Sequence, residues 1–166
     1  MIPFTINPAT ISDVPTLLTL IRELAACEQL AHRLEVTPGS LRAALFGERP
    51  VAGALLARVD DFPAGFAVYY HTFSTFVGQP GIFLDDIYVR PEFRNHGIGR
   101  ALLESIAGIG VEFGGRPFEW IALRWNENAF RFYRRLGASV VGESALLRVD
   151  NRQVRNFVTA MVKVAA

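Results

Sequence analysis

Two aspartates, an arginine and two glycines in the middle of the chain are the residues best suited to chemistry. Asp85 and Asp86 stand in an apolar stretch, and Arg94, Gly97 and Gly99 come just before a run with helical spacing. The first N–H groups of a helix lack intrahelical partners and carry about half a positive charge. Glycine lets an anion approach them, and arginine adds a charge-assisted hydrogen bond. This segment predicts a diphosphate site, with an ordinary strand-to-helix turn as the alternative.

The motif differs from two common phosphate-binding loops, because no Gly-Lys-Ser/Thr follows and the GxGxxG spacing is absent.

Asp85 and Asp86 are neighbours on a predicted strand, where successive side chains point to opposite faces. Only one of them can line a cleft unless a β-bulge intervenes. A carboxylate in a cleft attracts an ammonium group and can take its proton. The alternative is a pair of solvated or cap-forming acids at a strand end.

These residues need a sheet and helices to position them, and the apolar periodicity predicts both. The strands are expected at 2–7, 51–59, 66–71, 81–89, 118–124, 139–141 and 145–149. Helices are expected over 14–25, 39–46, 97–113 and 129–136, with a closing helix around 154–161. This order places a mixed sheet between helices, in an α/β (mixed α+β) fold whose βαβ crossover holds the glycine loop.

Composition fits one soluble domain over residues 1–166, with 51% apolar and 20% charged residues. The single cysteine, Cys27, excludes an internal disulfide, and the three scattered histidines show no metal-ligand spacing, so we expect no metal. A net charge of +1 and the lack of a basic stripe argue against nucleic acid. No apolar run is long enough to span a membrane and no signal peptide is visible, which predicts a cytoplasmic protein.

Several blocks of the chain resemble the GNAT N-acetyltransferase superfamily. The loop Arg94-Asn95-His96-Gly97-Ile98-Gly99 is similar to its acyl-CoA pyrophosphate signature, Arg/Gln-x-x-Gly-x-Gly/Ala. Within the superfamily, the chain most resembles the diamine branch of spermidine/spermine and thialysine acetyltransferases. The similar blocks lie at 23–28, 65–70, 83–89 and 125–138 and occur in the family's order. The resemblance implies a mixed, mostly antiparallel sheet of about seven strands flanked by helices.

The resemblance also implies acetyl-CoA as co-substrate and assigns residues to hold it. The loop and the start of its helix would bind the diphosphate, and the preceding strand would bind the pantetheine arm through its backbone. Asn126 would hydrogen-bond that arm, whereas Arg131, Arg134 and Arg135 either reach the adenosine phosphates or form a solvated helix face. The implied cofactor-binding residues are Ile87, Tyr88, Val89, Arg94, Asn95, His96, Gly97, Ile98, Gly99, Arg100, Asn126 and Tyr133.

Catalytic roles follow from the same resemblance. Tyr133 would protonate the departing thiolate, although on spacing alone it is an aromatic on a helix face. Asp85 stands where the branch usually has a glutamate base, and its shorter side chain favours proton transfer through water. Glu28, Asp85 and Asp86 would bind the acceptor amine. Ser74 and Phe76 match the positions at which polyamine enzymes carry an acid and a tryptophan, and this difference favours a shorter amine.

The predicted function is therefore acetyl transfer from acetyl-CoA to a primary amine of a small molecule, either a diamine or a lysine-like amino acid. With no activated nucleophile in view, we expect direct attack in a ternary complex. Two alternatives stay open, namely an acetyltransferase for protein or drug-like amines and a non-catalytic acyl-CoA-binding sensor. The branch resemblance also implies a homodimer.

Overall fold

The computed structural model describes residues 2–114, 118–142 and 146–147. The chain forms two compact units, Met1–Ile121 and Ala122–Ala166. The strands are β1 (Thr5–Pro8), β2 (Gly53–Val59), β3 (Phe62–Ser74), β4 (Gln79–Val89) and β5 (Phe118–Trp120). The helices are α1 (Val14–Cys27), α2 (Pro38–Phe46), α3 (Ile98–Glu112) and α4 (Glu127–Arg135), with 3-10 turns at Ile11–Asp13, Ala31–Arg33 and Pro91–Phe93.

The five strands of the described residues form one sheet in chain order, from β1 to β5. The β2–β3 turn is Asp60-Asp61, with φ values of 45° and 64°. Positive φ at both central residues fits a two-residue hairpin, and aspartate tolerates that conformation better than most residues. The first four strands pair antiparallel, whereas β4 and β5 are parallel and α3 connects them. The predicted βαβ crossover is thus confirmed.

Helices cover both faces of this sheet, which explains why neighbouring residues in the central strands are all buried. Leu55, Leu56 and Ala57 are each at most 3% exposed, a pattern typical of strands packed on both sides. On one face, α1 and α2 share an apolar cluster with Leu56 and Phe66. On the other, the buried stripe of α3 begins at Ile98, and its Gly110 lies against Ile82.

The helices begin and end at recognisable signals. Thr37 caps α2 by accepting a hydrogen bond from the Ser40 amide at 3.1 Å, with a proline in the first turn. Asn126 caps α4 by accepting from the Ala129 amide at 3.1 Å, and Gly137, with φ of 89°, follows the end of α4. None of the helices in the described part of the chain is long and apolar enough to cross a membrane.

The mixed α/β fold is confirmed, but two details of the strand prediction are wrong. The described residues contain five of the seven expected strands, and residues 139–141 are not a strand. The fifth strand ends at Trp120, short of the predicted 124. The predicted strand 145–149 lies mostly outside the described residues, and the closing helix at 154–161 lies wholly outside them.

Candidate active site

A β-bulge in β4 decides where the two aspartates point. Asp86 pairs with Val68 and Leu84 pairs with Tyr69, so Asp85 is an extra residue without a counterpart on β3. Ile82 lies against α3, whereas the Tyr88 hydroxyl lies 3.9 Å from the Cys27 sulfur of α1. Residues six apart on an unbroken strand share one face, so the bulge shifts the alternation by one.

Counting from each end of the strand places both carboxylates on the α1 face. Asp85 directly follows Leu84, which is on the α3 face, so Asp85 points to the opposite face. Asp86 is two residues before Tyr88 and shares its face. The sequence analysis expected only one of the two aspartates to line a cleft unless a β-bulge intervened, and the bulge is present. Glu28 comes directly after α1, so it reaches the same face from the helix side.

The acidic side chains Glu28, Asp85 and Asp86 are here called the carboxylate cluster, because the charges of Glu28 and Asp85 both act on Asp86. Burial, the charge of Asp85 and the charge of Glu28 together raise the pKa of Asp86 to about 6. Burial also raises the pKa values of Glu28 and Asp85. Each carboxylate is held in its charged form at a cost, and an arriving ammonium group would relieve that cost.

Aromatic side chains border the carboxylate cluster. Burial and the charge of Asp85 raise the pKa of the Tyr70 phenol, whose ring stacks on Phe83 with centroids 5.1 Å apart. Burial and contact with Cys27 raise the pKa of Tyr88 to about 12. At neutral pH these phenols are neutral, so the negative charge of the region comes from the carboxylates.

The glycine loop has the backbone geometry of an anion site. Gly97 has a φ of 92°, a left-handed conformation that favours glycine, and it is followed at once by the first residue of α3. The first helical bond runs from the Ala101 amide to the Gly97 carbonyl at 3.0 Å. The amides of Ile98, Gly99 and Arg100 come before it and therefore have no intrahelical acceptor. A side-chain atom added at Gly97 would meet no neighbour within 4 Å, so an anion has room to approach.

The side chains of this loop differ in how they are used. Arg94 donates from Nε to the Val89 carbonyl at 2.9 Å, and its guanidinium lies 5.8 Å from the centre of the Tyr88 ring. Arg100 is exposed and paired with Glu104 at 2.7 Å. Asn95 adopts a φ of 64°, and the Ile98 side chain is buried, so only the backbone of Ile98 can face a ligand. His96 is half-buried.

On the side of β4 away from β3, strand β5 covers only part of the strand. Strand β5 pairs only with Ile82, Phe83 and Leu84, and in the described residues no strand continues that pairing beyond the bulge. Residues Ile87, Tyr88 and Val89 thus lie on an edge of β4 that β5 does not cover. Their other edge pairs with β3. An extended ligand can pair with such an edge through main-chain hydrogen bonds.

Asn126 and Tyr133 belong to the second unit. The Asn126 side chain accepts the hydrogen bond that caps α4, and Tyr133 is half-buried on α4 with its ring 5.3 Å from Phe132. Arg131 donates to Asn128, and Arg134 and Arg135 are exposed in the last turn. The roles assigned to these residues stay predictions.

Sequence reasoning missed one part of this region, an ion pair between Arg90 and Glu23. The sequence contained a signal for this pair. Asp86, Tyr88 and Arg90 occupy every second position at the end of the strand and therefore share a face, and Glu23 and Cys27 are four positions apart on one face of α1. A strand and a helix packed together can match at those spacings. Within the part of the chain that the structure describes, no group of three or more His, Cys, Asp or Glu residues is arranged to hold a metal ion.

Comparison with known proteins shows the family of this chain. The sequence model of the Acetyltransferase (GNAT) family matches residues 17–138, which include most of α1 and all of the bulged strand, the glycine loop and α4. The chain belongs to the GNAT acetyltransferase family. It is 35% identical over 147 residues to a thialysine N-epsilon-acetyltransferase of Mus musculus, covering 84% of this chain and 86% of that protein.

Two further relatives extend the comparison of this GNAT acetyltransferase. An L-ornithine N5-acetyltransferase of Arabidopsis thaliana is 27% identical, over 87% of this chain and 83% of that protein. The solved structure of an integron cassette protein from the mobile metagenome of V. cholerae superposes with a TM-score of 0.79 at 22% identity. It covers 95% of this chain and 99% of that one, and at this identity it supports the fold alone.

Proposed function

We propose that this acetyltransferase transfers the acetyl group of acetyl-CoA to a primary amine of a small molecule, either a diamine or a lysine-like amino acid. The carboxylate cluster is the observation that carries the proposal. Three acids that are costly to keep charged provide a strong attraction for one ammonium group. The named activities of the mouse and Arabidopsis relatives, which concern thialysine and L-ornithine, support an acceptor with an amine on a short chain.

The glycine loop and the uncovered edge of β4 fit acetyl-CoA. The amides of Ile98, Gly99 and Arg100 would hold the diphosphate, and the left-handed Gly97 keeps the approach open. Arg94 would add a positive charge, while Asn95 and His96 border the same turn. The backbone of Ile87, Tyr88 and Val89 would hold the pantetheine arm, with Asn126 as a further partner. When bound, acetyl-CoA supplies the activated acetyl thioester.

The proton of the amine has a route out through the carboxylate cluster. An alkylammonium group with a pKa of about 10 must lose its proton before its nitrogen can attack. Asp85, whose side chain reaches solvent, can pass that proton to water, and Asp86, whose pKa is raised to about 6, is a second candidate base. Tyr133 would give a proton to the leaving thiolate, a role drawn from the family resemblance.

The acceptor is expected to carry one or two positive charges rather than four. A long polyamine needs spaced acids, because each desolvated ammonium must be paired. The carboxylate cluster is confined to the end of α1 and the bulge, and the far end of the β3–β4 hairpin presents Ser74, Phe76 and Val77 instead of acids. This distribution favours a short diamine or an amino acid with a terminal amine.

We further propose one catalytic domain that includes both compact units, since the family model runs across their boundary at residue 121.

A homodimer is proposed because Phe73, Phe76 and Val77 leave apolar surface exposed at the hairpin. A cytoplasmic location is compatible with the exposed free thiol of Cys27. Light scattering of the purified protein tests the dimer directly.

The deciding experiment measures thiol release from acetyl-CoA across an amine panel at pH about 8. The panel contains thialysine, lysine, ornithine, short diamines, spermidine, spermine and a peptide with a free N-terminus. We expect turnover with the short amines and poor turnover with spermine. Preference for the peptide would instead favour a protein acceptor, and binding of acetyl-CoA without turnover on any amine would favour a sensor.

A further inference from the structure

Arg90 makes a set of contacts that no step of the proposed reaction uses. Its Nε and Nη2 atoms donate to the two carboxylate oxygens of Glu23 at 2.8 and 2.7 Å. Its Nη1 atom donates to the Pro63 carbonyl at 2.8 Å, and the guanidinium lies 4.9 Å from the centre of the Phe62 ring. A two-bonded arginine–carboxylate pair fixes the orientation of both groups. The Arg90 side chain is 14% exposed and the Glu23 side chain 33%, so water screens this pair less than it screens a fully exposed pair.

The main chain of Arg90 stands at the junction between β4 and the glycine loop. Its amide donates to the Ala64 carbonyl at 2.9 Å, and its carbonyl accepts from the Phe93 amide at 2.9 Å. The 3-10 turn Pro91–Phe93 therefore begins at a residue that is held by both its side chain and its backbone. Arg94, the first residue of the loop, follows that turn and is itself bonded to the Val89 carbonyl.

The end of β4 is attached to α1 at two points, and the distance between these points is about the same along the strand as along the helix. Tyr88 contacts Cys27, and Arg90 is bonded to Glu23. Four residues of helix advance about 6 Å, and two residues of strand advance about 6.6 Å. The helix whose end carries Glu28 is thereby fixed to the strand end that leads into the glycine loop.

We propose that Arg90, held by Glu23, is a positioning residue for the diphosphate of acetyl-CoA, because it sets where the glycine loop leaves β4. This inference rests on the proposed function. Arg90 acts through the loop and touches neither substrate. Its loss should therefore weaken the part of the binding that depends on the diphosphate and leave the rest nearly unchanged.

The test compares donors with and without a diphosphate in the Arg90→Met variant. Acetyl-CoA and acetyl-pantetheine carry the same thioester, but only acetyl-CoA has the diphosphate. Small displacements of binding groups cost one to two orders of magnitude in rate, so we expect kcat/KM for acetyl-CoA to fall about tenfold. The value for acetyl-pantetheine should stay within about twofold, and calorimetry should show a weaker Kd for CoA in parallel.

Arg58→Met is the matched control. Arg58 forms a similar ion pair with Asp13 at the other end of α1, with 26% and 14% of the two side chains exposed. This variant should lose stability without changing the ratio of the two kcat/KM values. Arg90→Lys keeps the charge but not the two-bonded geometry and should fall between wild type and Arg90→Met. Glu23→Gln should shift the ratio in the same direction and serves if Arg90→Met does not fold.

The outcomes separate this inference from the proposed function. An unchanged donor ratio and CoA affinity in Arg90→Met and Glu23→Gln overturns the positioning role, as does an equal shift in Arg58→Met. If wild type binds CoA but acetylates no amine, the proposed function fails, and CoA affinity still decides the role of Arg90. A wild type that does not bind CoA overturns both.

Discussion

Replacing Asp86 by asparagine should stabilise the folded protein at neutral pH while lowering its activity. Burial and the charges of Asp85 and Glu28 raise the pKa of Asp86 from its ordinary 3.8 to about 6. An acid with a raised pKa is less stable in its charged form in the folded state than in the unfolded chain. Asparagine is close in size and carries no charge, so it removes that cost and leaves most of the packing.

The size of the effect follows from the pKa and has a definite pH dependence. Below about pH 3, Asp86 is mostly protonated in both states and costs almost nothing. As pH rises from about 4 to 6, the unfolded chain loses the proton first, so stability falls, and above pH 6 the loss is complete. At about 1.4 kcal/mol per pKa unit, the upper limit is about 3 kcal/mol, and 1–3 kcal/mol is expected.

Urea unfolding at pH 8 and at pH 4.5 measures this difference. With an m-value of about 2 kcal/mol per molar urea, the midpoint of Asp86→Asn should rise by about 0.5–1.5 M at pH 8. At pH 4.5 most of the gain should be gone. Activity at pH 8 should fall, because the ammonium loses a charged partner.

Asp13→Asn is a control for which the free energy of unfolding at pH 8 should change in the opposite direction. Burial opposes ionisation of Asp13, but hydrogen bonds from Thr10 and the ion pair with Arg58 outweigh it and lower its pKa. Stability from Asp13 is therefore present at neutral pH and lost as pH falls, so this variant should be less stable at pH 8. An Asp86→Asn variant that is destabilised at pH 8, or stabilised equally at both pH values, would refute the proposed electrostatics of the carboxylate cluster.

Three further results are expected. The acid limb of kcat/KM should lie near pH 6, and Asp85→Asn should move it to lower pH, because the charge of Asp85 raises the pKa of Asp86; a pH–rate profile on both proteins checks this. Tyr133→Phe should lower kcat by about 10²-fold or more and leave acetyl-CoA affinity nearly unchanged, and equal turnover would end its role as the acid. Gly97→Ala should cost about 1–2 kcal/mol in urea unfolding and weaken CoA binding, because φ is 92° there; unchanged values would contradict the geometric argument.

The sequence was sufficient to predict most elements of the first unit because their signals are local. The apolar face of α3 and the turn at Asp60-Asp61 depend on neighbours a few residues away. The strand expected at residues 139–141 is absent, although Val140 and Val141 are apolar, because two apolar residues in a row do not by themselves form a strand. Strand propensity depends strongly on the pairing partner.

The candidate site was predicted only in part, since its geometry depends on register. The glycine-containing turn into α3 follows from a local motif and was expected, although the left-handed φ of Gly97 was not. The shared face of Asp85 and Asp86 depends on one unmatched residue between β3 and β4, which no pattern within β4 reveals. The partner of Arg90, Glu23, lies 67 residues away in sequence, and only the packing of α1 on the sheet brings them together.

The bulge adds one residue, Asp85, to β4 without changing which β3 residues its neighbours pair with. Without Asp85, the pairs Leu84 with Tyr69 and Asp86 with Val68 would follow each other in unbroken register, and Tyr88 would keep its face. Asp85 is thus an addition to a ladder that is complete without it. Inserting one residue at this point of a regular strand would add such a carboxylate without changing the face of any other residue of the strand outside the bulge. Positions of this kind let an enzyme acquire or exchange a reactive group while the rest of its core stays as it was.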